Sequence, residues 1–265
     1  MKPSSPPKVS MRKSRNSNPW FSDWFQEDYL ILYRHRDVKE ARQFLDRILP
    51  ELEPRPSGRI LDVGCGAGRH VHYLASLGMP VLGLDLSRPL LTLASIHSPS
   101  PDLLWIQADM RTMPFHPRAF SIAVNLFTSF GYFLDDRDNE LVIKEISRVL
   151  QPGGWLVLDT LNPPEVSANL VPENQRQEGV NSIIERRIID HDTHRVIKTI
   201  HIERDNRRET YLESVRMYEV QEIHQLIEAA GLTPRLLWGD YQGSEYHTLS
   251  PRIIIAAQAH ETDTL

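Results

Sequence analysis

Ile60-Leu61-Asp62-Val63-Gly64-Cys65-Gly66-Ala67-Gly68-Arg69 joins an apolar run to an acidic residue and then to a glycine-rich turn that opens a helix. Such a turn marks the start of a strand-helix unit, because glycines let backbone amides approach a ligand and let the helix pack closely on the sheet. A dinucleotide fingerprint spaces its glycines G-x-G-x-x-G; here Arg69 stands where the third glycine belongs, and the glycines alternate instead. That spacing disfavours NAD. Asp62 argues the same way, since a carboxylate aimed into the crevice repels pyrophosphate and attracts a cation. The turn suits a positively charged ligand.

Outward from the turn, residues 58–161 alternate strand and helix signals, the pattern of a parallel, doubly wound sheet. Strands are expected over 59–63, 81–84, 103–107, 120–126 and 155–159. A helix expected over 136–150 stops at Gln151-Pro152-Gly153-Gly154, which reads as a turn. Asp85 closes the second strand, Asp109 and Met110 follow the third, and Asn125 lies near the end of the fourth. All fall at carboxyl ends of strands, where open α/β sheets bind ligands.

Composition bounds the rest. The 265 residues are 40% hydrophobic and 25% charged with a formal net charge of −5, which suits one enzyme-sized domain. No apolar run approaches the roughly 18 residues that span a bilayer, and no signal-peptide core precedes the domain, so a cytoplasmic protein with no membrane partner is expected. Cys65 is the single cysteine, which excludes an internal disulfide and a multi-cysteine zinc site. Residues 1–18 carry five basic and no acidic residues among Ser and Pro and read as a disordered tail. From Trp20 an apolar stripe (Trp20, Phe21, Trp24, Phe25, Tyr29, Leu32, Tyr33, Val38, Ala41, Phe44, Leu45, Ile48) predicts amphipathic helix ending near Pro50, docked on the domain, with Tyr29 or Tyr33 reaching the ligand as a lesser reading.

The glycine run and the ordered acidic residues resemble the class I S-adenosylmethionine-dependent methyltransferases over roughly residues 58–257. The resemblance implies a Rossmann-like α/β fold, a seven-stranded doubly wound sheet, with S-adenosyl-L-methionine as cofactor. It implies that Gly64, Cys65, Gly66 and Gly68 shape the cofactor loop, that Asp62 faces the methionine ammonium, and that Asp85 takes both ribose hydroxyls. By the same resemblance Asp109 accepts from the adenine amino group, Met110 and Leu86 flank the ring, and Asn125 lies near the methionine moiety; Tyr33 is added to the cofactor set from its place in the aromatic stripe. Taken singly, each carboxylate is equally a capping or turn residue.

Residues 182–190, 196–204 and 211–218 alternate apolar and polar, predicting three antiparallel strands in an insertion at about 178–218 that roofs the crevice. A helix over 220–230 and strands at 234–238 and 251–257 then complete the fold. The divisions expected are a tail, 1–18, a helical segment, 19–57, and a methyltransferase domain, 58–265. Within the family, small-molecule enzymes such as amino-sugar N-methyltransferases carry a comparable β cover. Phe127-Thr128-Ser129-Phe130-Gly131-Tyr132-Phe133 looks like an active-site loop. In the amino-sugar enzymes a similar stretch carries a histidine base where Tyr132 stands. Tyr132 either orients the acceptor or is a packed aromatic, and Arg216 with Tyr218 either lines the pocket or faces solvent.

Asn162-Pro163-Pro164-Glu165 resembles a motif of base and amide methyltransferases, but it follows the fifth strand and reads as a stiffened loop. His191, His194 and His201 lack a completing carboxylate and predict no metal. The favoured function is methyl transfer to an N or O nucleophile of a small molecule by a monomer or homodimer. The alternatives are an RNA or protein methyltransferase, for which the basic tail speaks while the mildly acidic domain disfavours nucleic acid, and a non-catalytic cofactor-binding protein.

Overall fold

The computed structural model describes residues 19–25, 27–32, 38–53, 57–98, 100–205 and 207–261; Tyr33 and the basic tail lie outside the described residues. The chain opens with α1 (Trp20–Trp24), α2 (Glu27–Leu32) and α3 (Val38–Ile48), followed by a single 3₁₀ turn at Leu49–Glu51. The expected single stripe is thus three short helices, and their apolar residues divide between two partners. Phe44, Leu45 and Ile48 pack on the main sheet, whereas Trp24 and Leu32 pack on a second sheet.

The domain proper alternates β1 (Arg59–Val63), α4 (Arg69–Ser76), β2 (Val81–Asp85), α5 (Arg88–Ile96), β3 (Leu104–Gln107), β4 (Phe120–Asn125), α6 (Asp136–Val149) and β5 (Leu150–Leu161). After α7 (Pro163–Asn169) come β6 (Glu173–Glu178), β7 (Asn181–Asp190), β8 (Arg195–Arg204) and β9 (Arg207–Arg216). The chain finishes with α8 (Val220–Ala229), β10 (Leu232–Trp238) and β11 (Arg252–Ala259). The seven-stranded sheet has the order β10-β11-β5-β4-β1-β2-β3, and the second sheet runs β6-β7-β8-β9. Strands β1 to β5 pair in parallel and β11 joins antiparallel between β5 and β10.

Helices cover both faces, which is why the central strands are buried and mainly apolar, with Asp62, Asn125 and Asp159 as the acidic or polar exceptions toward their carboxyl ends. All six residues of β4 are buried. The period of two sorts neighbours to opposite cores: Ile60 and Ile122 face Phe44, Val71 and Leu74, while Leu61 and Ala123 face Ile143, Ile146, Ile223 and Ile227. Each such isoleucine contributes about 1.5–3 kcal/mol on leaving water.

Helix starts follow local chemistry. The Ser87 hydroxyl accepts from Leu90 N at 3.3 Å ahead of α5, Asp135 accepts from Arg137 N at 3.0 Å ahead of α6, and Glu219 and Glu222 form a reciprocal capping box on α8. Three expectations need correction. The Gln151-Pro152-Gly153-Gly154 run is not a separate turn; β5 absorbs it at an irregularity where its register against β4 shifts between Phe120 and Ile122. The Pro163-Pro164 loop is the first turn of α7, a position where proline's missing N–H is no loss. The insertion has four strands, because β6 adds an all-polar edge to β7. No described helix is long and apolar enough to cross a membrane.

Candidate active site

A cavity of about 870 Å³ opens at the carboxyl ends of β1, β2 and β3. Its floor is the glycine turn Gly64–Ala67, the stretch Leu84–Leu90, and Ala108–Met110. Its side is Phe127, Ser129, Tyr132 and Phe133, and its roof is Phe21, Phe25 and Tyr29 from α1, the turn after it, and α2.

Asp85 ends β2 and is held by two amides: Gly66 N donates to Oδ2 at 2.8 Å and Ser87 N to Oδ1 at 2.7 Å. Burial pushes its carboxyl up to about 6, against the two amide bonds that favour the anion. Each oxygen keeps a lone pair for a further donor. Asp109 is differently engaged. Arg111 Nε reaches both its oxygens at 3.1 and 3.2 Å, Arg111 Nη2 reaches Oδ2 at 2.6 Å, and the same guanidinium bonds Asp138 at 2.8 Å. Burial raises the Asp109 carboxyl, but the Arg111 bonds outweigh it and hold the group below its ordinary value.

Beneath the turn lie buried polar atoms with no hydrogen-bond partner among the described residues: Asp62 Oδ2, Asn125 Oδ1 and His70 Nε2. His70 Nδ1 stands 3.7 Å from Asp62 Oδ2, and Asn125 Nδ2 donates to Val63 O at 2.8 Å. Cys65 lines the cavity, yet burial and then the Asp85 and Asp62 carboxylates push its thiol well up, which makes it an inert packing group. At Gly68, in the left-handed region at φ +81°, an added Cβ would overlap the Trp105 ring.

Of the residues singled out from sequence, Gly64, Cys65, Gly66, Asp85, Leu86, Asp109, Met110 and Tyr132 meet on the cavity wall. Asp62, Gly68 and Asn125 stand behind it, and Tyr33 lies outside the described residues. Arg216 does not reach the cavity. Its Nη2 pairs with Glu222 Oε1 at 2.7 Å and its Nε lies 3.5 Å from Asp136, while Tyr218 is buried and donates to Asp136 at 3.1 Å. The alternation that suggested a shared face ends with β9 at Arg216, so Tyr218 lies beyond the strand.

The inserted sheet does not roof the cavity either, for no residue of 173–216 lines it. The N-terminal helices lie between. Trp24 and Leu32 bury against Ile183, Ile200 and Ile202; Trp24 Nε1 donates to Glu213 at 2.6 Å and Tyr211 to Asp28 at 2.6 Å. On their other side the Phe25 ring stacks on Tyr132 at 5.4 Å, Trp20 Nε1 donates to Tyr132 O at 3.3 Å, and Ser87 Oγ donates to Phe25 O at 2.5 Å. Sequence reasoning missed Phe21, Phe25 and Ser87 as cavity residues; the adjacent aromatics at 20–21 and 24–25, too many for one helical face, were the available signal for the first two.

His191 and His194 sit on an exposed turn, and among the described residues no group of three His, Cys, Asp or Glu is placed to hold a metal. Asn162 is buried, donates to Thr248 O and Ser250 O at 2.9 and 2.6 Å, and accepts from the Tyr246 hydroxyl at 3.2 Å. It fastens a surface loop, as the reading of its motif as structural requires.

Residues 60–154 match the family described as a methyltransferase domain. A putative methyltransferase, YqeM, from Bacillus subtilis is 27% identical over 247 residues, 90% of this chain and 97% of that one. A dTDP-3-amino-3,4,6-trideoxy-alpha-D-glucopyranose N,N-dimethyltransferase from Streptomyces venezuelae is 30% identical over 142 residues, 54% of this chain and 58% of that one. Among solved structures, an S-adenosylmethionine-dependent methyltransferase from Clostridium acetobutylicum superposes with a TM-score of 0.75 at 19% identity, covering 88% of this chain and 96% of that one.

Proposed function

We propose that the chain, whose residues 60–154 match a methyltransferase domain, is a class I S-adenosylmethionine-dependent methyltransferase and that it methylates a nitrogen or oxygen nucleophile of a small molecule that enters between the roof helices and loop 127–133. The observation that carries this reading is the division of the cavity. Carboxylates and glycine amides gather on the floor, while the opposite wall is aromatic and enclosed.

The residues present fit the cofactor. Asp62 Oδ2 and Asn125 Oδ1 are buried acceptors that lack a donor, suited to an ammonium, and Asp85 offers two fixed oxygens to neighbouring hydroxyls. When bound, the cofactor supplies a methyl group already activated on a sulfonium. The protein's part is alignment and a dry site, and proximity alone accounts for about 7–11 kcal/mol in favourable cases. Phe21, Phe25, Tyr29 and Phe133 exclude water from the upper half. Tyr132 lines the cavity with its ring stacked on Phe25, and on this reading its hydroxyl meets the acceptor. A neutral amine attacks without prior loss of a proton, which suits a wall with few bases. The amino-sugar substrate in the name of the Streptomyces relative is of this kind.

The test is transfer of tritiated methyl from S-adenosylmethionine by the full chain into fractionated cell extract, with a dTDP-3-amino sugar as the defined acceptor. Label in the small-molecule fraction is the expected result. Label in RNA or protein, or binding of S-adenosylhomocysteine with no transfer into any fraction, overturns it.

A further inference from the structure

Loop 127–133 carries Ser129 and Tyr132 onto the cavity wall, and buried charges from outside the cavity fasten both its ends. At its start Phe127 and Thr128 adopt φ of +57° and +63°. A β-branched residue holds that left-handed conformation only where its surroundings impose it. What imposes it is Asp159 of β5, fully buried. Its Oδ2 accepts from Phe127 N at 2.7 Å and from the Tyr241 hydroxyl at 2.9 Å, and its backbone oxygen accepts from Thr128 N at 3.3 Å. Arg252 neutralises it, donating from Nε to Asp159 Oδ1 at 2.7 Å and from Nη2 to Thr128 Oγ1 at 2.7 Å.

At the far end stands Arg195, the first residue of β8, 3% exposed. Its guanidinium donates to the carbonyls of Gly131 and Phe133 at 3.0 Å each and of Tyr132 at 3.3 Å. Its remaining bonds go to Ser214 Oγ at 2.8 Å and Ser214 O at 2.7 Å. Between these anchors Gly131, at φ +91°, lets the loop lie flush on β9; a Cβ there would stand 2.6 Å from Arg216 O. Neither charged residue lines the cavity. Burying a carboxylate and a guanidinium is costly unless their bonds are complete, and here one bond of Asp159 and three of Arg195 are completed by the backbone of this loop.

We propose that Asp159 and Arg195 are positioning residues for methyl transfer, an anion gripping the amide end of loop 127–133 and a cation gripping its carbonyl end so that Tyr132 keeps one orientation toward the acceptor. The inserted sheet then serves the site by supplying Arg195. The inference rests on the reading that Tyr132 faces the acceptor, but its first test needs no acceptor. In the full chain saturated with S-adenosylhomocysteine, amide hydrogen exchange over residues 126–133 should quicken about tenfold or more in Arg195→Met and in Asp159→Asn, with β4 and β5 unchanged. Affinity for S-adenosylhomocysteine should stay within about threefold, and turnover on whichever extract fraction the wild type labels should fall about tenfold at unchanged KM for the cofactor. Arg195→Lys, a point charge without the fork, should recover part of the protection.

Unchanged exchange over the loop, or quickening shared equally by β4 and β5, overturns the proposal. Should either variant fail to fold, Tyr241→Phe and Ser214→Ala each remove one bond to an anchor, and they should loosen the loop locally by about threefold; no change there also overturns it. A wild type that transfers to nothing, with variants that still loosen the loop, would sink the functional reading and leave the clamp standing.

Discussion

The floor and the roof of the cavity are built by different rules. Every floor residue lies within a few positions of a strand's end: Gly64 follows β1, Asp85 closes β2, and Asp109 comes two residues after β3. The roof and the side loop are assembled across the chain, with Trp20 bonded to Tyr132 over a separation of 112 residues and Arg195 to Gly131 over 64. The family match covers residues 60–154, so it takes in the whole floor and loop 127–133 but neither the roof helices nor the sheet that holds them. On the proposed reading, a floor for the cofactor and a separately built roof for the acceptor would let the two recognitions vary independently.

Variants can break that division. The largest effect is expected of Asp85→Ala, which would remove the ribose contact proposed for it and also frees the Gly66 and Ser87 amides. Affinity for S-adenosylhomocysteine should fall by about 1.5–3 kcal/mol, roughly 10- to 150-fold by calorimetry. The pH dependence sharpens the point. In the free protein the native Asp85 carboxyl holds its proton up to about 6, whereas its ordinary value is 3.8. Stability therefore falls as pH rises from about 4 to about 6 and is flat above. Binding that needs the carboxylate strengthens over the same window, by up to about tenfold per pH unit, and Asp85→Asn should flatten both curves. Undiminished affinity in Asp85→Ala would erase the assignment of the floor.

Tyr132→Phe tests the opposite wall: turnover should drop about tenfold while S-adenosylhomocysteine affinity holds, and an equal loss in both would merge floor and roof into one site. Arg216→Ala should lower stability by about 1 kcal/mol through its pairs with Glu222 and Asp136. Acceptor KM should not move; a rise would return Arg216 to the pocket. The smallest change belongs to Asp109→Ala, below about 1 kcal/mol of cofactor affinity, since Arg111 already occupies its oxygens and can fall back on Asp138. A loss exceeding that of Asp85→Ala would reverse the ordering.

How much of this was legible follows from the same division. Strands of the floor announce themselves through local apolar runs that end in acidic or polar residues, so their order and approximate ends are readable without tertiary information. β6 escaped because Glu173–Glu178 has no apolar alternation; it joins the sheet through backbone bonds to β7. The aromatic stripe at 20–32 was visible, but a stripe does not reveal that Trp24 faces one partner and Phe25 another. Arg216 was singled out within the expected strand 211–218, whereas Arg195 lay one residue outside the expected strand 196–204 and drew no notice. What separates them is a set of carbonyls more than 60 residues away that turn toward one and not the other. Left-handed Phe127 and Thr128 carry no local sequence mark at all, since neither is a residue that prefers that conformation.

Trp105 lies on β3 directly under the glycine turn. A methyl group on Gly68 would overlap its ring; one on Gly83 would stand 2.6 Å from Cys65 Sγ and 3.0 Å from the indole. These four positions cannot drift one at a time. Residues in contact depart most from additivity, and here Ala at 83 needs both the Cys65 sulfur and the indole to give way, while the left-handed backbone at 68 favours glycine whatever stands at 105. Lineages descended from a common ancestor with this chain should therefore inherit a bulky residue at 105 together with glycine at 68 and 83. Trp105→Leu should relieve the cost of Ala at 68 or 83 only in part.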